Sequence, residues 1–444
     1  MTRNRKLLLV AVLLLFTAAG VGVGLLLTNI QQRIAEGERL RLAARIVPIG
    51  ELEVDPAVWG INFPYQYDSW LRTREYGVRT PHGGSEPFDK LEANPFRRMA
   101  WAGFPFELEF NEDRGHYFAQ TDQRETLRIT ERIQPGSCLN CHSGEFTLLL
   151  SEMSWDELNR TPYNYFRDRL AVRSFGVVCA DCHDPNTMEL RITRPALENA
   201  LVQQGIDWRQ ASRQEMRSLV CAQCHSEYYF LGAGNTLVFP WSRGLGLEAI
   251  EEHYDTYGFA DFTHTLTQAP MIKVQHPEYE LFSTSVHYAA GVACADCHMP
   301  FTRVGGVKIS DHWTRSPLLN INSSCLTCHA GVSEAEMLRR VVTIQGRTKE
   351  MLGVTEGALT DAINAIMSAM EAGVPDAALA EARQLHRASQ LRWDFIDAEN
   401  SKGFHSPQEA VRILGHATDL ARQAQLSATL ALTAHQTEAA RAGE

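Results

Sequence analysis

At 444 residues the chain is long enough for two or three ordinary domains. Its hydrophobic content of 44% and charged content of 21% are ordinary for a folded soluble protein. A formal net charge of −11 without a basic stripe excludes nucleic acid as a partner class.

The N-terminus reads as a membrane signal. Arg3, Arg5 and Lys6 precede an uncharged, mostly apolar run from Leu7 to Ile30. That run is long enough to cross a bilayer, whereas a cleavable signal carries a shorter apolar region and a small-residue cut site. Thr17-Ala18-Ala19 offers such a site, so cleavage is the alternative, but run length favours an uncleaved anchor over residues 1–30. The basic residues would stay in the cytoplasm and the rest of the chain would lie outside it. Residues 31–50 are polar and charged and read as a helical stalk.

Residues 51–330 hold all ten cysteines, and each belongs to a Cys-x-x-Cys-His pentapeptide. The five are Cys138/Cys141/His142, Cys179/Cys182/His183, Cys221/Cys224/His225, Cys294/Cys297/His298 and Cys325/Cys328/His329. This is the attachment signature of a c-type heme: two thioethers anchor the porphyrin and the adjoining histidine reaches the iron. Zinc knuckles or disulfides also use paired cysteines, but five copies with no cysteine left over argue against them. Each heme is expected to fill core volume, with side chains wrapped around the porphyrins. Covalent heme attachment in bacteria also takes place outside the cytoplasm. The intervals between motifs are too uneven for a regular repeat. Frequent glycine and proline predict short helices, many loops and little sheet, a mainly α fold wrapped around five hemes.

Beyond residue 330 the pattern turns helical, over 331–444. Ser333-Glu334-Ala335-Glu336 is a capping-box pattern. Met337, Val341, Ile344, Leu359, Ile363, Ile366 and Met370 follow at helical steps, and Gly373 and Pro375 stop the helix. A second helix is predicted from about Asp376 to the Trp393 region. A third is capped by Ser406 with proline at its first position, its stripe being Ala410, Ile413, Ala417, Leu420 and Ala424. From pattern alone, packing on the chain's own heme body and a subunit interface are equally open.

Clustered hemes move electrons. A purely conducting heme keeps protein ligands on both faces, whereas a catalytic one leaves a face open. Of sixteen histidines, eleven lie outside the motifs, enough to close four irons and leave some for chemistry.

The chain resembles the ammonia-forming cytochrome c nitrite reductases, a pentaheme family. The likeness runs from Trp59-Gly60-Ile61-Asn62-Phe63-Pro64 to the C-terminal helices. It is carried by Arg114-Gly115-His116, by Arg124-Glu125-Thr126-Leu127-Arg128, and by the segment Cys221 to Phe230. Lys273-Val274-Gln275-His276-Pro277-Glu278-Tyr279-Glu280, Ser310-Asp311-His312 and Trp393-Asp394-Phe395 leading to His405-Ser406-Pro407 complete it. The resemblance implies that the heme on Cys138 and Cys141 is catalytic, with Arg128, Tyr228 and His276 around the bound anion. A fixed guanidinium suits nitrite, and a histidine supplies protons near neutral pH. By residue type alone, Arg128 fits a surface helix, Tyr228 a core aromatic and His276 a distal heme ligand.

The family also implies one calcium ion, held by the side chains of Glu227 and Gln275 and the backbone carbonyls of Tyr228 and Lys273, an all-oxygen set suited to a hard cation. Four histidines match distal ligands. His312 would close the heme on Cys179/Cys182 and His116 the one on Cys221/Cys224. His405 would close the one on Cys294/Cys297 and His287 the one on Cys325/Cys328. His82, His253, His264, His386, His416 and His435 carry no assigned role, and His264 lies near His276 in sequence.

One position departs from the family pattern, in which most members carry lysine where this chain has His142. The implied activity is reduction of nitrite to ammonia by six electrons, with hydroxylamine or sulfite as alternative substrates. The implied donor is a membrane quinol dehydrogenase of the multiheme type or a small soluble cytochrome. The implied assembly is a homodimer through the C-terminal helices, on the periplasmic face. A non-catalytic electron-transfer cytochrome, with a spare histidine capping the first heme, is the competing reading.

Overall fold

A computed structural model describes residues 3–43 and 45–442. The chain divides into two units, Met1–Gly50 and Glu51–Glu444.

The first unit is one helix, α1 (Arg3–Ala43). Its apolar side chains, such as Leu13 and Phe16, are exposed. The stretch Arg3–Ile34 is long and apolar enough to cross a membrane. The helix does not break at residue 30, and the polar stretch from residue 31 continues it to Ala43.

The second unit is mainly helical, and its first part is built from short pieces. Helices there span four to eleven residues, for example Lys90–Ala93 and Tyr163–Arg173. Aspartate and serine caps start several of them. Asp55 accepts from the Ala57 amide at 2.9 Å, and Ser212 and Glu215 form a reciprocal capping box. Strands are confined, among the described residues, to four antiparallel pairs. One pair, β1 (Tyr229–Leu231) with β2 (Thr236–Val238), sets Tyr229 opposite Val238.

Three long helices close the chain: α2 (Glu334–Glu371), α3 (Ala380–Ala398) and α4 (Pro407–Ala442). Ser333 caps α2 by accepting from the Glu336 amide at 3.2 Å. The Glu336 carboxylate turns to Arg340 at 2.8 Å and to Arg339, so the cap takes a different form from the predicted box. A 3-10 turn, Asp376–Leu379, occupies the predicted start of the second helix, and α3 begins four residues later.

The three helices pack on the chain's own body. One core joins Leu352 and Leu359 of α2, Leu391, Trp393 and Phe395 of α3, and Ile413 and Leu414 of α4 to Trp101, Tyr229, Ile272 and Val274. Trp101 and Trp393 are fully buried and stand 6.2 Å apart. Each large side chain so buried stabilises the fold by roughly 1.5–3 kcal/mol. The core therefore fixes the segment Ile272–Val274, which leads directly to His276.

Candidate functional site

Each Cys-x-x-Cys-His pentapeptide closes a helical turn. The amides of His183, His225 and His329 donate to the carbonyls of Cys179, Cys221 and Cys325, each at 3.0 Å. The first motif runs from Cys138, at the N-cap, through the helix Leu139–His142, and the fourth lies in the helix Cys294–His298. Positions three and four apart share one helix face, so both sulfurs and the imidazole address the same side. The motifs also abut one another. Cys141 lies against Cys224, and Cys221 against Cys294. Cys182 is in electrostatic contact with Cys224, and Cys297 with Cys325. The third motif is thus a hub between the first, second and fourth.

The fifth motif is less enclosed than the other four. Nine of the ten cysteines are half-buried, whereas Cys328 is exposed. The cause is its place in the turn. Cys325, at the start, packs with Ile321, Met337 and Val341 against the foot of α2. Cys328 stands in the stretch Thr327–Gly331, all of it exposed, where the chain swings out before Ser333 caps α2. Cys328 still has the spacing of a thioether anchor, but the protein encloses its motif on the Cys325 side only. A heme held there would be open to solvent along the Cys328 edge.

Histidine rings face one another across four of the motifs. Ring centroids are 6.3 Å apart for His116 and His225, 6.2 Å for His183 and His312, and 6.3 Å for both His298/His405 and His287/His329. Two imidazoles sharing one metal stand about 6 Å apart, given a metal–nitrogen bond of about 2 Å on each side and about 1 Å from nitrogen to ring centre. The spacing fits an iron between each pair. Burial, aided by the neighbouring histidines, pushes His116, His183 and His298 down to about 4, which keeps each ring in its neutral, ligating form. His183 Nδ1 donates to Met188 O at 3.0 Å, His298 Nδ1 to Arg315 O at 3.1 Å and His312 Nδ1 to Ser310 O at 2.8 Å. Those bonds leave Nε2 free for a metal.

His116 reaches its partner through two glycines. Gly115 holds φ 112°, a region that favours glycine. Gly176 lies so close that an added Cβ would collide with the His116 carbonyl oxygen.

His142 differs from the other four. Its Nδ1 donates to Ala119 O at 3.2 Å. Among the described residues, no second histidine ring faces it at the pair spacing. The groups that act on it electrostatically are Asp113, His276 and Arg128. Arg128 sits on the short helix Leu127–Thr130 with its guanidinium 4.0 Å from the centre of the Phe106 ring. Its Nη1 is buried without a hydrogen-bond partner. Burial works against the Arg128 charge, while Asp113, Tyr228 and Cys138 support it. Tyr228 directly precedes β1, and burial beside Cys138 and Cys141 raises its hydroxyl well above the usual phenol range, so it keeps its proton.

His276 lies 6.2 Å from the His225 ring, close to the pair spacing. Its Nδ1 is 3.7 Å from Glu278 Oε1, and His225 Nδ1 is 3.8 Å from Glu278 Oε2. The two rings therefore meet across a carboxylate on their Nδ1 sides, while His225 faces His116 as well.

Adjoining Tyr228 and His276 lies an oxygen-rich cluster. Glu227 is fully buried; its Oε2 accepts from the Gln275 amide at 2.6 Å and its Oε1 from Tyr254 Oη at 2.9 Å. Gln275 Nε2 donates to Lys273 O at 2.9 Å. Glu280, also buried, accepts from the Glu227 amide at 2.9 Å and from Trp241 Nε1 at 2.7 Å, and its Oε2 has no partner. Burial drives Glu227 well above the usual carboxylate range and Glu280 up to about 8. The Lys273 ammonium, which acts on Glu227, is already occupied by Asp394 at 3.0 Å. Two buried carboxylates short of positive charge, with an amide and a backbone carbonyl at hand, fit a hard cation such as calcium. Among the described residues, no group of three or more His, Cys, Asp or Glu side chains could hold a metal ion. A site of one carboxylate, one amide and carbonyls does not need such a group.

Four of the remaining histidines hold structural hydrogen bonds. His264 Nε2 donates to Met99 O at 2.8 Å, and Thr267 Oγ1 lies 3.2 Å from His264 Nδ1 and 3.3 Å from His386 Nδ1. His253 sits between Tyr229 Oη at 2.9 Å and Ser242 Oγ at 2.6 Å. His416 Nδ1 accepts from Arg392 Nε at 3.2 Å. The sequence carried no signal for Tyr254, Asp113 or Glu278 at the site. Glu278 and Glu280 lie inside the Lys273–Glu280 segment, but their roles emerge only from what surrounds them.

Comparison with known proteins places these features in context. Residues 55–442 match the cytochrome c552 family. A cytochrome c-552 of Bacteroides fragilis is 39% identical over 419 residues, covering 93% of this chain and 84% of its own. The cytochrome c nitrite reductase subunit NrfA of Nitratidesulfovibrio vulgaris is 37% identical over 409 residues, covering 84% of this chain and 78% of its own. Among solved structures, the catalytic subunit (NrfA) of cytochrome c nitrite reductase from Desulfovibrio desulfuricans, described with two calcium sites, superposes with a TM-score of 0.83 at 35% identity. It covers 87% of this chain and 88% of its own.

Proposed function

The chain belongs to the cytochrome c552 family, and from that premise we propose that it is an oxidoreductase that reduces nitrite to ammonia with six electrons. The observation that carries this reading is the asymmetry among the five motif histidines. Four face a second imidazole at iron-sharing distance, whereas His142 has Asp113, His276 and Arg128 about it, and Tyr228 lies by Arg128 and the Cys138/Cys141 pair. Likeness to proteins named cytochrome c nitrite reductase supports the substrate.

Five c-type hemes fit the ten cysteines and the paired histidines. Cys138, Cys141 and His142 would hold a heme, which would supply the redox iron for reducing the anion. The chain's own residues do the rest. Arg128 presents an unpartnered N–H to an anion, in a buried setting where a charge-assisted hydrogen bond is strong. Tyr228 keeps its proton and donates a hydrogen bond to a substrate oxygen. His276 brings an imidazole for the protons that N–O cleavage consumes. A calcium ion on Glu227, Gln275 and the carbonyls of Tyr228 and Lys273 would tie the Tyr228 and His276 segments together. In this reading Cys221, Cys224, His225 and His116 would hold the heme that lies among the other motifs and would supply a redox centre there, α1 anchors the protein on the periplasmic face, and the chain works as a homodimer. The donor is a multiheme quinol dehydrogenase or a small cytochrome.

Anaerobic product analysis, with the spin state of every iron measured on the same sample, tests this. The expected result is stoichiometric ammonium from nitrite, with one high-spin and four low-spin hemes. Five low-spin hemes that small anions do not displace, with nitrite untouched, would leave the conducting cytochrome instead.

A further inference from the structure

We propose that Glu278 is a positioning residue shared by two histidines: one carboxylate orients His276 in the substrate pocket and backs His225, the ligand of the heme on Cys221 and Cys224. The inference rests on the function proposed above, in which His225 holds a heme and His276 serves the pocket.

Glu278 is 7% exposed. Its Oε1 accepts from Asn400 Nδ2 at 2.7 Å and stands 3.7 Å from His276 Nδ1. Its Oε2 stands 3.8 Å from His225 Nδ1 and has no hydrogen-bond partner of its own. His276 Nδ1 is likewise buried without one. A buried carboxylate oxygen and a buried imidazole nitrogen thus lack closer partners, and the carboxylate is the group that faces both rings. A bridging water or a shift of under about 1 Å converts each contact to a hydrogen bond. Asn400, just beyond α3, holds the carboxylate in place.

Among the motif histidines, His225 is backed by a carboxylate, as is His405 across the fourth motif, whose Nδ1 stands 2.6 Å from Glu399 Oε1. The Nδ1 atoms of His142, His183 and His298 face the neutral carbonyls of Ala119, Met188 and Arg315. An anionic partner makes a ligating imidazole more basic, which favours oxidised iron and lowers the midpoint potential of that heme. Cys141 touches Cys224, so this heme is the immediate neighbour of the one at the pocket. Glu278 thereby links the last relay heme to the pocket's proton donor.

The test is Glu278→Gln in the heme-loaded protein, read by potentiometric titration of each heme and by steady-state kinetics with nitrite. The expected result is a raised midpoint potential for one low-spin heme, the others unchanged. A fall of about tenfold or more in kcat, with KM changed less than about twofold, should accompany it. Asn400→Ala, which keeps the charge but frees it, should lower kcat with a smaller change in potential, and it carries the test if Glu278→Gln does not assemble. Unaltered potentials in a fully loaded Glu278→Gln protein, or unaltered potentials and kcat in Asn400→Ala, overturn the inference. A potential shift in a protein that never reduces nitrite would retain it and remove the function instead.

Discussion

Arg128 carries a buried nitrogen for which the protein provides no acceptor, and such a donor is costly unless something else accepts from it. The Phe106 face under the guanidinium fixes its plane at 4.0 Å without consuming its N–H groups. An anion bound over the first motif would accept that hydrogen bond, an exchange worth about 1.5–3 kcal/mol for a charged partner. Arg128→Ala should therefore lower kcat/KM for nitrite by about ten- to a hundredfold, with all five hemes still attached. Arg128→Lys should recover only part of the loss, because an ammonium lacks the planar fork. Steady-state kinetics beside a heme-absorbance count checks both. Activity like that of the starting protein in Arg128→Ala would place the anion elsewhere.

At the scale of elements, legibility tracks distance along the chain. The five pentapeptides are local, so the turn that aims two sulfurs and an imidazole one way is readable from spacing. How deeply each motif is enclosed is not local, and the exposure of Cys328 follows from where α2 begins rather than from the pentapeptide. The long helices are legible by period: Met337, Val341, Ile363 and Ile366 are buried as the pattern predicts. Ile344, Met370 and Leu420 are only partly buried, and Gln345, Thr348 and Thr355 fill the α2 face instead. Two of those polar residues find distant partners that no window of sequence reveals. Thr355 Oγ1 meets Thr418 Oγ1 at 2.9 Å and Gln345 Nε2 donates to Ser401 O at 3.0 Å. The clamp on the pocket segment is just as remote, since Asp394 of α3 accepts from both Lys273 Nζ and the Val274 amide at 3.0 Å. Gly176 is one more long-range requirement, legible only once His116 O is seen against it. Gly176→Ala should push the His116 segment away and cost about 1–3 kcal/mol, as overpacking does. Its sharper signature should be loss of low-spin character at the heme on Cys221 and Cys224 alone. Electron paramagnetic resonance with a thermal unfolding midpoint reads both, and an unperturbed set of low-spin signals would contradict the close fit.

For the second unit as a whole, the bond between its beginning and its end is ionic as well as apolar. Arg97 and Asp397 pair through two contacts, at 2.7 and 2.8 Å, with side chains 11% and 3% exposed. Lys402 adds a third charge, donating to the Asp397 carbonyl at 2.8 Å. Burial alone would raise the Asp397 carboxyl, but the Arg97 guanidinium and the Lys402 ammonium outweigh it and hold the group well below its ordinary value of 3.8. A carboxyl depressed in the folded state stabilises the fold at every pH above its unfolded value, and that stability drains away as pH falls from there toward the folded value. The protein should accordingly hold its unfolding midpoint from neutrality to about pH 4 and lose it steeply below. Asp397→Asn should remove much of that acid limb. At neutral pH it should cost about 3–5 kcal/mol, because Arg97 is left buried without its counter-charge. Unfolding midpoints of both proteins between about pH 2.5 and 7 decide the matter. Parallel curves in which the variant is merely shifted down would mean that other carboxylates govern acid unfolding, and that this pair joins the two ends without setting their pH limit.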